Sequence, residues 1–241
     1  TMQGKRITAI TTLSGKTYAG RMFIDATYVG DLLAAAGVTS TVGREAESQY
    51  GEDMAGVRRG DTQPRVHYTQ RDKDHFIKDV DPYVKPGDPA SGLLPYVFRI
   101  EGLANGQGDR KIQGYNYRVC LTTDPTLRIP IEKPAGYHAI DHELLLRNFE
   151  AGDDRLPALV EPLAGQGAKV DWNNMHAVGS DLPGANWDYP EASYARRREI
   201  EQEHETYIRG FLWTLSHSPR VPAAIRQKVS AYGLAKDEFT D

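Results

Sequence analysis

Proline and glycine punctuation from about Gln49 to Pro134 limits this chain more than any other feature. Asp81-Pro82, Lys85-Pro86-Gly87-Asp88-Pro89, Leu94-Pro95 and Asp124-Pro125 recur through that stretch. Each proline removes a backbone donor and drives the residue before it out of the helical region. Long regular elements are therefore confined to the flanks, and the middle reads as loop broken by short strands. Tyr96-Val97-Phe98-Arg99-Ile100 and Tyr115-Asn116-Tyr117-Arg118-Val119-Cys120-Leu121 are the strand candidates there. The turn Ala104-Asn105-Gly106-Gln107-Gly108-Asp109 between them predicts an antiparallel pair.

On the N-terminal flank, Ile7 to Thr12, the turn Leu13-Ser14-Gly15-Lys16, and Thr17 to Thr27 predict a hairpin whose second strand ends in Met22-Phe23-Ile24-Asp25-Ala26-Thr27. Asp31 stands where a helix N-cap belongs, before Leu32-Leu33-Ala34-Ala35-Ala36, and Gly37 is the C-cap candidate. Val38 to Val42 is a further strand candidate. On the C-terminal flank, Ile140 to Phe149 predicts a helix. Pro190 to Leu215 predicts the longest one, with Pro190 in its first turn and an apolar stripe of Ile200, Tyr207, Ile208, Phe211, Leu212 and Leu215. Pro219 ends it, and Pro222 opens a last helix through Tyr232 with Gly233 as its cap. The fold class read from this pattern is α+β / α/β. Residues 1–48 form a partial α/β domain of hairpin, strand and short helix, and residues 49–241 an α+β body with an antiparallel sheet and helices.

Composition excludes several function classes. Lys+Arg 29 against Asp+Glu 33 leaves a net charge of -4, so the chain lacks the basic excess that condenses on a phosphate backbone, and nucleic acid is not an expected partner. No apolar run approaches the roughly 20 residues of a membrane helix. A single cysteine, Cys120, rules out an internal disulfide and a cysteine-ligated cluster built from this chain alone. Thr1 to Arg6 shows no signal-peptide pattern, although a precursor could carry one upstream. Both ends read as cut, Thr1 standing before Met2 and Lys236 to Asp241 stopping without a closing element, which predicts a piece of a longer, soluble protein.

Most chemical motifs fail on spacing. There is no G-x-G-x-x-G and no G-x-x-x-x-G-K-[ST], and Gly106-Gln107-Gly108 reads as a plain turn. His138 and His142 stand four apart without a third ligand, among polar neighbours, which predicts solvent-facing histidines. His204-Glu205 begins like a zincin motif, but Ile208 stands where its second histidine belongs. Cys120 lies in an apolar strand pattern and is expected to be an inert core thiol. His67, Arg118, Asn173, Asn174, His176, Asp181, Trp187 and Tyr189 are polar or aromatic groups in loop or strand-end settings. Asp171 to Asn174 and Gly184 to Tyr189 are dense in amides and indoles, which suits hydroxyl-rich substrates such as sugars. A tied-down polar loop is the plainer reading of any one of them. Phe23 to Gly37 is the most suggestive segment: strand, small-residue turn and helix start in succession. Small side chains there let a ligand reach the backbone, and helix-start amides favour an anion. An ordinary strand-to-helix turn is the plainer reading.

That segment resembles the flavin-dependent oxidoreductases of the two-dinucleotide-binding-domain class, whose FAD domain carries a strand ending in an Asp-Ala-Thr-Gly-like turn beside the cofactor. Asp25-Ala26-Thr27 matches, Tyr28 replaces the usual glycine, and Gly30-Asp31 follows. The closer resemblance is to the bacterial FAD-dependent oxidoreductase family, labelled heterodisulfide-reductase-A-like or xanthan-lyase-like. It is carried by Phe23 to Thr27 with Gly30-Asp31-Leu32, Gly43-Arg44-Glu45, Gln49-Tyr50-Gly51-Glu52, Asp81-Pro82-Tyr83, Gly87-Asp88-Pro89, Ser91-Gly92-Leu93-Leu94, Gln113 to Arg118, Tyr189-Pro190 and Gly233 to Phe239. The match covers nearly the whole chain and is specific in combination.

The resemblance implies a Rossmann-like remnant followed by a substrate-facing domain, FAD as cofactor and a small-molecule substrate, for which the amide- and indole-rich segments make carbohydrates a candidate. It implies FAD contacts at Ala26, Thr27, Gly30 and Asp31 and names no catalytic residue; the residues' own chemistry, not the resemblance, makes His67, Arg118, Asn174 and Tyr189 the candidate substrate contacts. The family's phosphate loop would precede Thr1 and its flavin-closing stretch would follow Asp241. The isolated chain is therefore expected to bind FAD weakly or not at all, and the iron–sulfur label of some relatives finds no ligands here. The alternative is a non-catalytic binding or interaction domain, sugar-binding among the options. A strand and G-x-G-x-x-G upstream of Thr1 would separate the two.

Overall fold

The structure is a computed structural model that describes all residues except 59–75, 77, 100–101, 166 and 239–241. The fold is mixed α/β, with antiparallel sheets and few helices. The chain divides into two compact units, Thr1–Gly43 and Arg44–Asp241.

The first unit is two small hairpins and a short helix. β1 (Met2–Gln3) pairs with β2 (Arg6–Ile7), and β3 (Ala9–Thr11) with β4 (Thr17–Ala19) in the register Ile10↔Tyr18. The predicted hairpin is therefore present but shorter: Met22 to Thr27 and Val38 to Val42 are not strands. Both have the right residue types and no partner strand, and an extended segment without a ladder does not register as a sheet. Helix α1 (Asp31–Ala35) follows, with Gly30 as N-cap in the left-handed region at φ 67. Asp31 is thus the first helical residue and not the cap, correcting the sequence expectation.

The second unit is built around a five-stranded antiparallel sheet of order β6-β9-β5-β8-β7. Its strands are β5 (Val119–Thr122), β6 (Arg128–Ile129), β7 (Ala158–Pro162), β8 (Lys169–Asn174) and β9 (Gly233–Ala235). The central β5 is buried at every residue and pairs with β8 as Val119↔Trp172 and Leu121↔Val170. Alternation turns Val119, Leu121, Val170 and Trp172 into one core. Cys120 is buried within this strand, as expected for a core thiol.

Helices close that core. α2 (Glu47–Tyr50) is a single turn. α3 (Glu143–Glu150) contributes Leu145, Leu146 and Phe149, α4 (Tyr194–His217) contributes Tyr207, Ile208, Phe211, Leu212 and Leu215, and α5 (Ala223–Ser230) contributes Ile225 and Val229. Ser193 sets the start of α4, its hydroxyl accepting from the Arg196 amide at 3.2 Å. Pro190 sits instead in a separate 3-10 turn, Tyr189–Glu191. Arg147 ties the proline-rich loop to α3 by donating to the carbonyls of Asp81 (3.0 Å), Tyr83 (2.6 Å) and Val84 (3.2 Å).

Three further expectations are corrected. Among the described residues no pair forms between Tyr96–Arg99 and Tyr115–Leu121. Tyr96 takes a left-handed backbone at φ 61, and the second segment is a strand only from Val119. Asp171 to Asn174, read as a polar loop, belongs to β8, with Trp172 fully buried. Gly233 opens β9 instead of capping α5; a side chain there would strike the Ile129 carbonyl.

Candidate functional site

In the first unit, Asp25 organises the small-residue turn. Its Oδ1 accepts from the Thr27 amide (3.0 Å) and the Thr27 hydroxyl (2.7 Å), and its Oδ2 accepts from the Leu33 amide (3.1 Å). The Thr27 hydroxyl in turn accepts from the Gly30 amide at 3.0 Å. Asp25 therefore reaches across the turn to do what a capping side chain does, and a donor free at the start of α1 is satisfied within the chain. These bonds, the Thr27 hydroxyl first, hold the Asp25 carboxyl below the usual carboxylate range. Ala26 and Thr27 remain exposed, and a Cβ added at Gly30 would meet only Leu33 Cβ, at 3.6 Å. Glycine at that position serves its φ of 67 and not a shortage of space.

In the second unit, three of the sequence-predicted substrate residues, Arg118, Asn174 and Tyr189, bond within the chain. Arg118 forms a two-bond ion pair with Asp171 across the β5–β8 ladder. The Asn174 Oδ1 accepts from the Asp181 amide at 3.1 Å. The Tyr189 hydroxyl donates to Glu201 at 2.6 Å, and that bond, with burial, pushes the phenol up to about 12. The segment leading to Arg118 adds further bonds: Tyr115 meets Tyr189 edge-on at 5.6 Å, and Asn116 donates to Asn173 and Ser180, both at 3.1 Å. Asn186 is buried and donates to the Gln113 carbonyl at 2.8 Å. The amides that suggested a sugar site thus make bonds within the chain, Asn173 and Asn174 at the end of β8 and Asn186 to the Gln113 carbonyl. His67 lies outside the described residues.

A different place in this unit has the shape of a ligand site. A cleft of about 650 Å³ lies between the 3-10 turn Ala139–His142 and the first half of α4. Tyr96, Tyr137, His142 and Tyr207 line its aromatic side; Asp141, Arg198, Glu199 and Glu203 supply its charges. The rings form a chain: Tyr96 meets Tyr207 at 5.5 Å, Tyr207 meets His142 at 5.2 Å, and His142 stacks on Tyr137 at 5.4 Å. Tyr137 is anchored to Thr214 (2.9 Å) and Tyr207 to the Gly179 carbonyl (3.1 Å) through their hydroxyls.

Electrostatics in the cleft follow from burial. His142 is 2% exposed, which drives its pKa down to about 4 and keeps the imidazole neutral. Its Nδ1 has no hydrogen-bond partner among the described residues. Burial raises the Asp141 carboxyl, against a small opposing pull from His138. Burial, with the Asp141 and Glu203 charges, pushes Tyr96 up to about 12.

His138 is exposed as expected, whereas His142 is not solvent-facing. Its partners in the sequence were the signal. His142, Leu145, Leu146 and Phe149 fall at i, i+3, i+4 and i+7, which places the histidine at the head of the buried stripe. Tyr96, Tyr137 and Asp141 carry no comparable pattern. Among the described residues no three His, Cys, Asp or Glu side chains gather as a metal site would require, and no helix is long and apolar enough to cross a membrane.

The fold and these two sites define a mixed α/β protein in which a small-residue turn precedes a sheet-and-helix unit carrying an aromatic, acid-lined cleft. Compared with models of known families, residues 1–241 match the FAD dependent oxidoreductase family, and the chain belongs to it. Neither the curated proteins nor the solved structures compared with the chain gave a match.

Proposed function

We propose that the protein is part of an FAD-dependent oxidoreductase acting on a small organic molecule, with the turn at Ala26, Thr27, Gly30 and Asp31 against the cofactor and the cleft at His142 receiving the substrate. The family match over the whole chain carries this reading. Bound FAD would supply the electron chemistry. The chain's own residues orient the reacting molecule, exclude water and handle protons.

The donor set of the turn narrows which part of FAD it suits. Asp25 has taken the Leu33 amide and Thr27 the Gly30 amide, so the turn is poorly equipped to cradle a pyrophosphate. Its exposed Ala26 and Thr27 suit close approach of an uncharged part of the cofactor, and the Asp31 carboxylate can accept from a hydroxyl. Weak binding of FAD by this chain alone fits that division. In the cleft, His142 stays neutral, and the Asp141 carboxyl, which burial raises, is the group placed to hold or move a substrate proton.

A titration of the protein with FAD, followed by flavin fluorescence, tests the cofactor contact. Ala26→Leu should weaken binding roughly tenfold, the scale of a steric clash at a close contact. Ala26 is the better probe than Gly30, because a side chain at φ 67 strains the turn whether or not FAD is near. Unchanged affinity in Ala26→Leu would remove the turn from the cofactor site.

A further inference from the structure

We propose that Tyr96 is the residue by which the cleft between the Ala139–His142 turn and α4 holds its ligand, and that this ligand is a small neutral molecule bearing a hydroxyl group. The ligand oxygen accepts from the Tyr96 phenol, and its apolar body lies against the tyrosine rings. As a statement of substrate class this rests on reading the cleft as the substrate site.

Three tyrosines line the cleft, and their hydroxyls are differently employed. The Tyr137 hydroxyl bonds to Thr214 at 2.9 Å, and the Tyr207 hydroxyl donates to the Gly179 carbonyl at 3.1 Å. The Tyr96 hydroxyl has no hydrogen-bond partner among the described residues. The residue is half-buried, and its oxygen is not among the unpaired polar atoms sealed from solvent. A phenol in that state has a donor to give to a ligand.

The backbone beneath the ring is the second observation. Tyr96 stands at φ 61, in the left-handed region, a conformation shared among the described non-glycine residues only by His176. For a bulky side chain that position is an outlier, and such outliers gather where a side chain has to be aimed. Packing holds it there: Leu94 is buried, and the Tyr96 ring meets Tyr207 at 5.5 Å. Burial, with the charges of Asp141 and Glu203, pushes the phenol up to about 12. Both carboxylates line the cleft, so the phenol stands in the field of two cleft residues and keeps its proton near neutral pH.

Charge does not select an ion here. Asp141, Glu199 and Glu203 are matched by Arg198 in the lining, by Arg196, which engages Glu199 and Glu203 at 3.1 Å each, and by Lys133, whose ammonium lies over the Tyr137 ring at 4.9 Å. An ion would pay desolvation without an unmatched counter-charge to meet, whereas a neutral group loses less. Among neutral groups a hydroxyl fits best, because its oxygen accepts from Tyr96 and its proton suits a carboxylate such as Asp141. The rings of Tyr96, Tyr137 and Tyr207 offer area to an apolar or aromatic body, and about 650 Å³ is an ordinary volume for a small-molecule site.

Calorimetry on the 241-residue chain near neutral pH, with benzyl alcohol, benzylammonium and benzoate as probes, tests the assignment. Benzyl alcohol should bind more tightly than either ion. Tyr96→Phe keeps the ring and removes the hydroxyl, and should weaken benzyl alcohol roughly fivefold, the scale of one hydrogen bond between neutral groups. The same variant should melt with the parent, because that hydroxyl bonds nothing in the chain. Benzyl alcohol binding that survives Tyr96→Phe, tighter binding of either ion, or a lowered melting point in Tyr96→Phe would overturn this proposal and leave the cleft as a small-molecule site. No binding of any of the three probes would remove the cleft as the substrate site and this proposal with it.

Discussion

Two regions of this chain reach a fold by different means. In Thr1–Gly43 no residue is buried, and Met22 and Ile24 are each 82% exposed. Order there comes from short ladders and from Asp25 and Thr27 bonding to nearby amides. In Arg44–Asp241 a continuous cluster runs from Val119 and Trp172 on the sheet to Phe211 and Val229 on the helices. Local hydrogen bonds fix a conformation residue by residue, whereas a packed core makes distant residues depend on one another. The first kind of order should fail locally and the second globally.

The largest expected effect breaks the second region. Phe211 is fully buried between sheet and helices, so Phe211→Ala should cost about 3–5 kcal/mol. Urea unfolding followed by near-UV circular dichroism reads this out. Amide exchange should accelerate throughout the core of that unit and stay unchanged in β3 and β4. If β3 and β4 lose protection in step, the contrast is false and the chain unfolds as one body.

The next test sharpens the contrast through pH. His142 is held neutral by burial, with its folded pKa lowered from 6.5 to about 4. Between these values the unfolded chain binds the proton and the folded chain does not. Stability from this group is therefore full above about pH 6.5 and is lost as pH falls toward 4. By the conversion of 1.36 kcal/mol per unit, the loss is roughly 3 kcal/mol. Urea midpoints measured across that interval should fall in the parent, and the slope should flatten in His142→Gln. A variant with the parent's slope would assign the pH dependence to other groups.

The smallest effect belongs to the first region. Asp25→Ala should abolish amide-exchange protection at Thr27 and Leu33 without moving the main unfolding transition. Asp31→Ala should leave both amides as they are. The reverse result would restore Asp31 as the cap and make the Asp25 bonds incidental.

What could be read from the sequence divides along related lines. α4 and α5 were legible because apolar residues recur at helical spacing and prolines bound the segments. The sheet was legible only in part. β5 was visible as an apolar run, but its partners β8 and β9 lie far along the chain, and no local signal announces a non-local pairing. β8 did carry a strand pattern, Val170 and Trp172 alternating with Lys169 and Asp171, but its amide-rich end at Asn173-Asn174 hid it. Of the candidate site residues, Arg118, Asn174 and Tyr189 were chosen for chemistry that internal bonds consume. The cleft eluded the sequence because Tyr96, Tyr137, Asp141 and Tyr207 converge through tertiary packing. Only His142 and Tyr207 stood in periodic patterns that mark them as buried.

One residue on α4 leaves room for two of the rings that line that cleft. Gly210 lies mid-helix, where alanine ordinarily gains about 1 kcal/mol over glycine. Here an added methyl would come within 2.7 Å of the His142 Nε2 and 3.0 Å of the Tyr137 ring. The usual helix-stabilising exchange would push two rings of the lining out of register, so position 210 acts as a caliper. The chain forgoes helix propensity at one point, and the missing methyl is the clearance in which the imidazole sits.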